Sequence, residues 1–274
     1  ASLVLALMLP MALSAAPASE SDPASAAPVS GIEVLLAEPL TLLRGKRIGL
    51  ITNPTGVDRE LRSSIDLLAK HPDLQLVALF GPEHGVRGNA QAGEKVGASV
   101  DAATGLPVFS LYGEHREPTA EMLQGIDVLL FDIQDVGARF YTYPYTLAGA
   151  MRAARRAGIP VVVLDRPNPI GGVHVEGPML QPEYASFVGE FPIPVRHGMT
   201  MGELARLFND AFAIGAEHCT GYRPHPTCQR RIPHWSIPAP RCSKAPTCRR
   251  AAAPRDRSKS LARPSSWQRL WQTT

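Results

Sequence analysis

The chain has 274 residues, of which 45% are apolar and 19% charged, a composition typical of a globular protein with one large or two small domains. Twelve of its 28 Lys and Arg residues lie after Gly221, but only one of its 25 Asp and Glu residues does. The net charge of +3 is thus the sum of an acidic segment and a basic segment. It therefore gives no argument for nucleic-acid binding.

The N-terminal residues 3–13 are apolar, and small residues follow with the form Ala-Pro-Ala at positions 16–18. This run is too short for stable membrane insertion, because about 20 apolar residues are needed to cross a bilayer. The pattern is typical of a secretory signal, with a disordered Ala- and Pro-rich arm as the alternative. Residues 1–30 are therefore predicted to be a signal-peptide remnant and linker, and the protein is expected to be secreted or periplasmic.

Beyond residue 30, short apolar runs alternate with helical patterns. Strands are predicted at residues 47–52, 75–80, 108–111, 128–133 and 161–164. Helices are predicted at residues 63–70, 118–124, 145–157 and 200–212. The run 128–133 has no polar alternation, which is typical of a strand that is buried on both faces. The alternation of strands and helices predicts an α/β fold with a parallel sheet flanked by helices.

Polar residues follow four of the predicted strands. They are Asn53 after the first strand, Glu83, His84 and Arg87 after the second, Asp132, Gln134, Asp135 and Arg139 after the run 128–133, and Asp165, Arg166 and Asn168 after the last. A single aspartate after a strand is commonly only a helix cap. Four clusters are different, because the carboxyl ends of parallel strands share one edge of the sheet. The sequence therefore predicts one ligand-binding crevice.

Several cofactor and nucleophile motifs are absent from the sequence. The first strand is followed by ITNPTGV and not by G-x-G-x-x-G, which disfavours a bound dinucleotide. There is no G-x-x-x-x-G-K-[ST] loop for NTP hydrolysis and no G-x-S-x-G elbow for a serine triad. His84 has no second histidine at ligand spacing. No cofactor and no metal site are predicted.

The segment LFGPEHGVRG, residues 79–88, places Glu83 and His84 between glycines that let backbone approach a ligand closely. A carboxyl group in such a crevice can remain protonated and act as a general acid. The alternative is a turn whose charges face water. In the next cluster, Tyr141 and Tyr143 could stack on a sugar ring or pack in the core. Arg166 could bind an anion or pair with Asp165.

Six segments together resemble one known family, the exo-β-N-acetylmuramidases of the NamZ type. They are GLITNPTGVD, LFGPEHGVRG, DVLLFDIQDVGARFYTYPYTL, VVVLDRPNPIGG, VEGPML and VRHGMTMGELA. The resemblance covers residues 31–221 and implies a Rossmann-like domain at 31–198, with a smaller α/β domain beginning at 199–221 and the active site between them. It implies a glycosidase that releases N-acetylmuramic acid from the non-reducing ends of peptidoglycan fragments. Glu83 matches the glutamate that is expected to be catalytic in the family.

The resemblance also implies roles for the polar clusters. Glu83 is the expected acid, and Asp135 or Asp132 the second or supporting carboxyl group; retention and inversion both stay open. Arg139 and Arg166 are candidates to bind the lactyl carboxylate of muramic acid. The residues predicted to bind substrate are Asn53, His84, Arg87, Gln134, Arg139, Tyr141, Tyr143, Asp165, Arg166, Asn168, Glu176 and His197. The expected partners are peptidoglycan-derived muramyl glycans, and the alternative is a sugar-binding or peptidoglycan-fragment-binding protein without catalysis.

Residues 222–274 form a basic, Pro- and Cys-rich tail that does not resemble the family. With suitable synonymous codons, residues 247–260 read one base earlier give NLSEGRGTTRPFEI, which resembles a family motif. This predicts a frameshift near Gly221, an incomplete second domain and a disordered, aberrant tail. The tail residues Cys228, Cys242, Cys248 and His225 are therefore not interpreted as a zinc site.

Overall fold

The computed structural model describes residues 28–37, 40, 43–88, 99–216 and 220–222. Almost all of the predicted signal and linker, residues 1–27, and the predicted aberrant tail beyond residue 222 lie outside these described residues. The predictions of a signal peptide and of a frameshift therefore stay predictions.

Seven strands form a single sheet in the order β3-β4-β2-β1-β5-β6-β7. They are β1 (Arg47–Thr52), β2 (Gln75–Gly81), β3 (Ser99–Val100), β4 (Pro107–Ser110), β5 (Val128–Asp132), β6 (Val161–Leu164) and β7 (Thr220–Tyr222). All neighbouring pairs are parallel except the edge pair of β3 and β4. Without β3, the order is that of a Rossmann-like sheet, which confirms the predicted α/β fold.

Four helices accompany the sheet: α1 (Gly31–Ala37), α2 (Ser64–Ala69), α3 (Tyr143–Ala157) and α4 (Met201–Asp210). The side chain of Ser63 caps α2 by accepting the backbone N–H of Ile65. Gly158 ends α3 with φ of 69°, a left-handed conformation that glycine adopts without steric cost. Thr200 and Glu203 form a capping box at the start of α4. These local signals explain why the helix boundaries could be predicted closely.

The sheet is buried on both faces, and side chains alternate between two cores. In β5, Val128 and Leu130 pack with α1 and α2, whereas Leu129 and Phe131 pack with α3 and α4. Successive residues of a strand point to opposite faces, so a strand between two helical layers must be apolar throughout. This explains the unbroken apolar run at 128–131.

Four segments differ from the sequence expectations. Residues 118–124 were predicted to begin a helix, but they form hydrogen-bonded turns, with Leu123 N–H donating to Thr119 O and Ile126 N–H to Leu123 O. Gly125, at φ of 77°, ends the segment. The segment is therefore too short for its hydrogen bonds to offset the free-energy cost of helix nucleation. Helix α1 and the edge strands β3 and β7 were not predicted.

Helix α1 contacts the sheet at the end of β6. The N–H of Gly31 donates to the carbonyl of Asp165 at 2.8 Å. A Cβ atom at Gly31 would lie 2.4 Å from the carbonyl carbon of Leu164, so only glycine permits this approach. The start of α1 thus supports the strand end that carries Asp165.

The region 199–221, predicted to begin a second domain, contains α4 and β7, with residues 217–219 outside the described part. Helix α4 packs on α3 and β6, and β7 pairs with β6 in the same sheet. The predicted domain boundary stays a prediction. Among the described helices, none combines the length and apolar character that a membrane crossing requires.

Candidate active site

The candidate site lies at the carboxyl edge of the parallel strands. The chain leaves β1 toward β2 on one side and passes from β5 to β6 on the other, so the strand order reverses between β1 and β5. Ligands of open α/β sheets bind in the crevice at this reversal. Thr52 at the end of β1 donates through its hydroxyl to the carbonyl of Asp132 at 2.8 Å, which joins the two strands at the crevice.

Asp132 and Arg166 form a buried ion pair beneath this crevice. Nε and Nη2 of Arg166 donate to the two carboxylate oxygens of Asp132 at 2.7 and 3.1 Å, and the Ser64 hydroxyl also donates to this carboxylate. Nη2 of Arg166 donates in addition to the carbonyl of Val57 at 2.8 Å. The Asp132 side chain is fully buried, and that of Arg166 is 8% exposed. These contacts fix the ends of β5 and β6 and occupy both charged groups.

Asp135 faces His197 within the protein. Its Oδ2 accepts the N–H of Gly137 at 2.7 Å and lies 3.2 Å from Nε2 of His197, close enough for an ion pair but not aligned for a hydrogen bond. Nδ1 of His197 accepts the N–H of Met199, so in the neutral ring the proton is on Nε2 and faces the carboxylate. Oδ1 of Asp135 is buried without a hydrogen-bond partner among the described residues.

Glu83 lies on a tight turn directly after β2. The N–H of Gly85 donates to Pro82 O at 3.0 Å, and His84 has φ of 72°, the pattern of a type II turn. A non-glycine residue in the left-handed region is uncommon and is found most often at functional turns. Glu83 is half-buried, whereas Asp132 and Asp135 are buried. Of these three carboxyl groups, Glu83 therefore has the greatest access to solvent.

Tyr143, at the start of α3, is buried in the neighbourhood of Glu83 and Asp135. Burial raises the pKa of its phenol, as do the neighbouring Tyr141, Glu83 and Asp135, while a hydrogen bond with Asn53 lowers it. The rings of Tyr141 and Tyr143 meet edge to face, 5.2 Å apart. The ends of β1, β2 and β5 thus converge on one phenol group.

Tyr112 was not identified from the sequence, although it contacts Glu83. Leu111 N–H donates to the carbonyl of Gly81 at 2.8 Å, so the chain leaving β4 runs beside the turn that carries Glu83. The neighbouring carboxylate of Glu83 is the main reason why the pKa of the Tyr112 phenol is raised. The cluster YGEHR follows β4 just as other polar clusters follow β1, β2, β5 and β6. The strand-end pattern would have identified it.

Other predicted substrate ligands are engaged in the scaffold. Nη1 of Arg139 donates to the carbonyls of Pro178 and Ile193 at 2.7 and 2.8 Å. The carboxylate of Asp165 accepts from the Thr200 hydroxyl and the Gly202 N–H, which anchors the start of α4. Burial raises the pKa of Asp165.

The remaining predicted ligands have these positions. The Asn168 amide donates to Met199 O at 3.0 Å, and the Gln134 amide donates to Pro167 O at the same distance. His84 and Tyr141 are exposed. Glu176 is exposed and pairs with Arg196 at 2.9 Å on the surface. The predicted roles of these residues in substrate binding stay predictions.

Arg87 is paired with two aspartates. Its guanidinium binds the carboxylates of Asp101, at 2.9 and 3.0 Å, and Asp66, at 2.8 Å. Hydrogen bonding to Arg87 lowers the pKa of Asp101 to about 2. Arg87 thus connects α2 to the loop after β3 and stabilises the segment that follows the Glu83 turn.

This network predicts acid sensitivity. An aspartate has a pKa of about 3.9 in an unfolded chain, so the lowered native pKa adds stability above pH 4 that is lost as the pH falls toward 2. We expect the loss to be about 1 kcal/mol after allowance for solvent screening. Urea unfolding between pH 6 and pH 2 measures it. In Arg87→Met the part of the acid-induced loss that comes from Asp101 should disappear; an unchanged pH dependence would contradict this role.

Within the described ranges, no three His, Cys, Asp or Glu side chains converge in an arrangement suited to a metal ion. The acidic groups of the site are instead bound by arginine, by histidine and by hydroxyl or backbone N–H donors. The chemistry that this arrangement offers is proton transfer by carboxyl groups.

The comparisons with known proteins agree on one family. The model of the family described as "Exo-beta-N-acetylmuramidase NamZ, N-terminal" matches residues 48–245. The peptidoglycan beta-N-acetylmuramidase NamZ of Bacillus subtilis (strain 168) is 61% identical over 207 residues, which are 75% of this chain and 50% of the relative. The chain thus spans about half the length of this curated relative. The family match continues past Gly221, where the sequence prediction placed the end of the family-like region.

Two solved structures have the same fold. Both are DUF1343 family proteins of Bacteroides fragilis. One is 49% identical with a TM-score of 0.66, and the match covers 72% of this chain and 50% of the chain of that structure. The other is 36% identical with a TM-score of 0.61, and the match covers 72% of this chain and 51% of the chain of that structure.

Proposed function

The chain belongs to the NamZ family of exo-β-N-acetylmuramidases, and from its site we propose that it is a glycoside hydrolase acting on muramic-acid-terminated fragments of peptidoglycan. The observation that carries the proposal is the position of Glu83. This carboxyl group is half-buried on a constrained turn at the carboxyl edge of the sheet, beside the phenol groups of Tyr112 and Tyr143.

Such a carboxyl group suits general-acid catalysis. Glycosidases protonate the glycosidic oxygen from one carboxyl group while the bond between that oxygen and the anomeric carbon breaks, and water then takes the place of the leaving group. In the proposed reaction Glu83 supplies the proton. Asp135 is the second carboxyl group near Tyr143, and its buried negative charge favours the oxocarbenium-like character of the transition state. Asp132 acts through Arg166 as a positioning residue.

The proposal includes the compartment and the physiological substrates. Peptidoglycan fragments are met outside the cytoplasmic membrane, and the apolar N-terminal residues 3–13 support a secreted or periplasmic protein. A second candidate function is binding of muramyl glycans without hydrolysis. It is favoured by the burial of Asp132 and Asp135, because glycosidases use two carboxyl groups and, of these three, Glu83 has the greatest access to solvent.

Release of N-acetylmuramic acid tests the proposal. The chain is incubated with a chromogenic β-muramide and with a disaccharide that carries N-acetylmuramic acid at its non-reducing end, and products are followed by chromatography. The proposed activity predicts free N-acetylmuramic acid from both compounds. Binding of the disaccharide without release would refute the glycosidase and support the binding protein. Release of internal fragments only would refute the exo-acting mode.

A further inference from the structure

Asp135 and His197 form a buried pair that differs from the other ion pairs at this edge of the sheet. Their side chains are 6% and 0% exposed, and Oδ2 of Asp135 lies 3.2 Å from Nε2 of His197. Because no part of the His197 side chain reaches the surface, the imidazole can act on a ligand only through its neighbours. Asp135 is the neighbour that its free nitrogen faces.

The surroundings of His197 keep its ring neutral. Nδ1 accepts the N–H of Met199 at 3.2 Å, and this contact would be lost in a protonated ring, which carries a hydrogen on both nitrogens. Met199 is held in turn by the amide of Asn168, which donates to its carbonyl at 3.0 Å. The single N–H of the ring is therefore on Nε2, beside Asp135.

The negative charge of Asp135 has no cation beside it within the described residues. The carboxylate of Asp132 binds two guanidinium nitrogens of Arg166, whereas none of the arginine and lysine side chains that the structure describes forms an ion pair with Asp135. Oδ2 of Asp135 accepts the N–H of Gly137, and Oδ1 has no hydrogen-bond partner in the described part of the chain. A buried carboxylate in such surroundings favours positive charge that develops near it.

The register of the sheet places Asp135 close to the Glu83 turn. Phe80 of β2 and Phe131 of β5 are both in register with Ile51 of β1, which lies between them. Neighbouring strands are about 4.8 Å apart, so the ends of β2 and β5 are separated by about 10 Å. Glu83 follows Phe80 by three residues, and Asp135 follows Phe131 by four. Both carboxyl groups therefore lie just beyond strand ends on the same edge of the sheet.

The loop after β1 contacts the segments that carry both groups. The hydroxyl of Thr55 accepts the N–H of Gln134, the residue before Asp135, at 2.9 Å. Pro54 packs against Gly88, where an added Cβ atom would lie 2.7 Å from the Cγ of the proline. Positive charge that develops on a sugar beside the Glu83 turn is therefore within the range at which a buried carboxylate acts.

On the basis of the proposed function, we propose that His197 is a positioning residue for Asp135: its neutral ring holds the carboxylate in place and leaves the negative charge free to stabilise the cationic sugar ring of the transition state. This assigns different roles to the two buried aspartates. Asp132 is neutralised by Arg166 and supports the strand ends, whereas Asp135 keeps a charge that complements an oxocarbenium-like sugar.

Binding of a cationic sugar analogue tests this assignment without need of turnover. Isothermal titration calorimetry measures the affinity of N-acetylmuramic acid and of its iminosugar analogue, in which an ammonium group replaces the ring oxygen. The proteins are the wild-type chain, Asp135→Asn, His197→Gln, His197→Phe and His174→Gln. His174 is exposed and serves as the matched control for a histidine-to-glutamine change. Thermal unfolding shows that each variant is folded, and His197→Met replaces His197→Phe if the phenyl ring is not accommodated.

We expect the wild type to prefer the cationic analogue, and Asp135→Asn to lower this preference by about 10- to 100-fold, the usual effect of a lost charged interaction. His197→Phe should lower it by about 10-fold, whereas His197→Gln, which retains a neutral N–H donor, and His174→Gln should keep most of it. Affinity for the neutral sugar should change little in all variants, a result that a merely structural role of His197 would not give.

Three results would overturn the assignment: a wild type without preference for the cation, a preference that persists in both Asp135→Asn and His197→Phe, or an equal loss for both ligands in His197→Phe. The proposed hydrolysis is tested separately by release of N-acetylmuramic acid. A preference that depends on Asp135 and His197 without release would support the pair and refute the glycosidase. Release without such a preference would refute the pair alone.

Discussion

Replacing Glu83 by glutamine is expected to lower kcat/KM for a natural muramyl disaccharide by about 10²- to 10⁴-fold, the range for loss of a general acid. Glutamine has the same shape and can still meet the Tyr112 phenol, but it cannot donate a proton to the leaving oxygen. The fold should persist, because backbone contacts form the turn and the Glu83 side chain is only half-buried. Initial rates of N-acetylmuramic acid release measure the effect.

The leaving group distinguishes an acid from a merely structural residue. A sugar alkoxide needs protonation as it departs, whereas a dinitrophenolate does not. Glu83→Gln should therefore lose far less activity on a dinitrophenyl muramide than on the disaccharide. Glu121→Gln makes the same chemical change at an exposed turn and should leave both rates unaltered. An undiminished rate of Glu83→Gln on the disaccharide, or an equal loss on both substrates, would exclude the acid role.

The sequence was most informative where local signals decide the structure. The Ser63 and Thr200 caps and Gly158 determined helix ends, and the absence of polar alternation at 128–133 indicated a strand covered on both faces. The polar residues after each strand predicted the edge at which the candidate site lies. The same pattern after β4 indicates Tyr112.

The partners of charged groups could not be predicted from the sequence. Arg166 is adjacent to Asp165 in sequence, yet its side chain binds Asp132, 34 residues away, because β5 and β6 are neighbours in register. Nη1 of Arg139 donates to the backbone carbonyls of Pro178 and Ile193, which lie far from it in the sequence. Which arginine remains free for a ligand therefore depends on tertiary pairing, which the sequence does not show.

The pairing of Asp132 with Arg166 leads to the largest expected change in stability. Asp132→Asn removes the negative charge and leaves the guanidinium buried without compensation. Breaking a buried ion pair from one side costs about 3–5 kcal/mol, which corresponds to a decrease in Tm of about 10 °C for a domain of this size. Urea and thermal unfolding, followed by circular dichroism, measure the loss.

The opposite edge of the sheet provides a matched control. Arg47 and Asp127 form a second Arg–Asp pair, at 2.9 Å, which joins the starts of β1 and β5. Their side chains are 48% and 31% exposed. Asp127→Asn should therefore destabilise the protein much less, since exposed pairs contribute little. The double variant Asp132→Asn/Arg166→Met should recover part of the loss, because it leaves no buried charge unpaired. Equal losses at both edges, or a double variant less stable than Asp132→Asn, would show that burial of this pair does not organise the end of β5, which Asp135 follows.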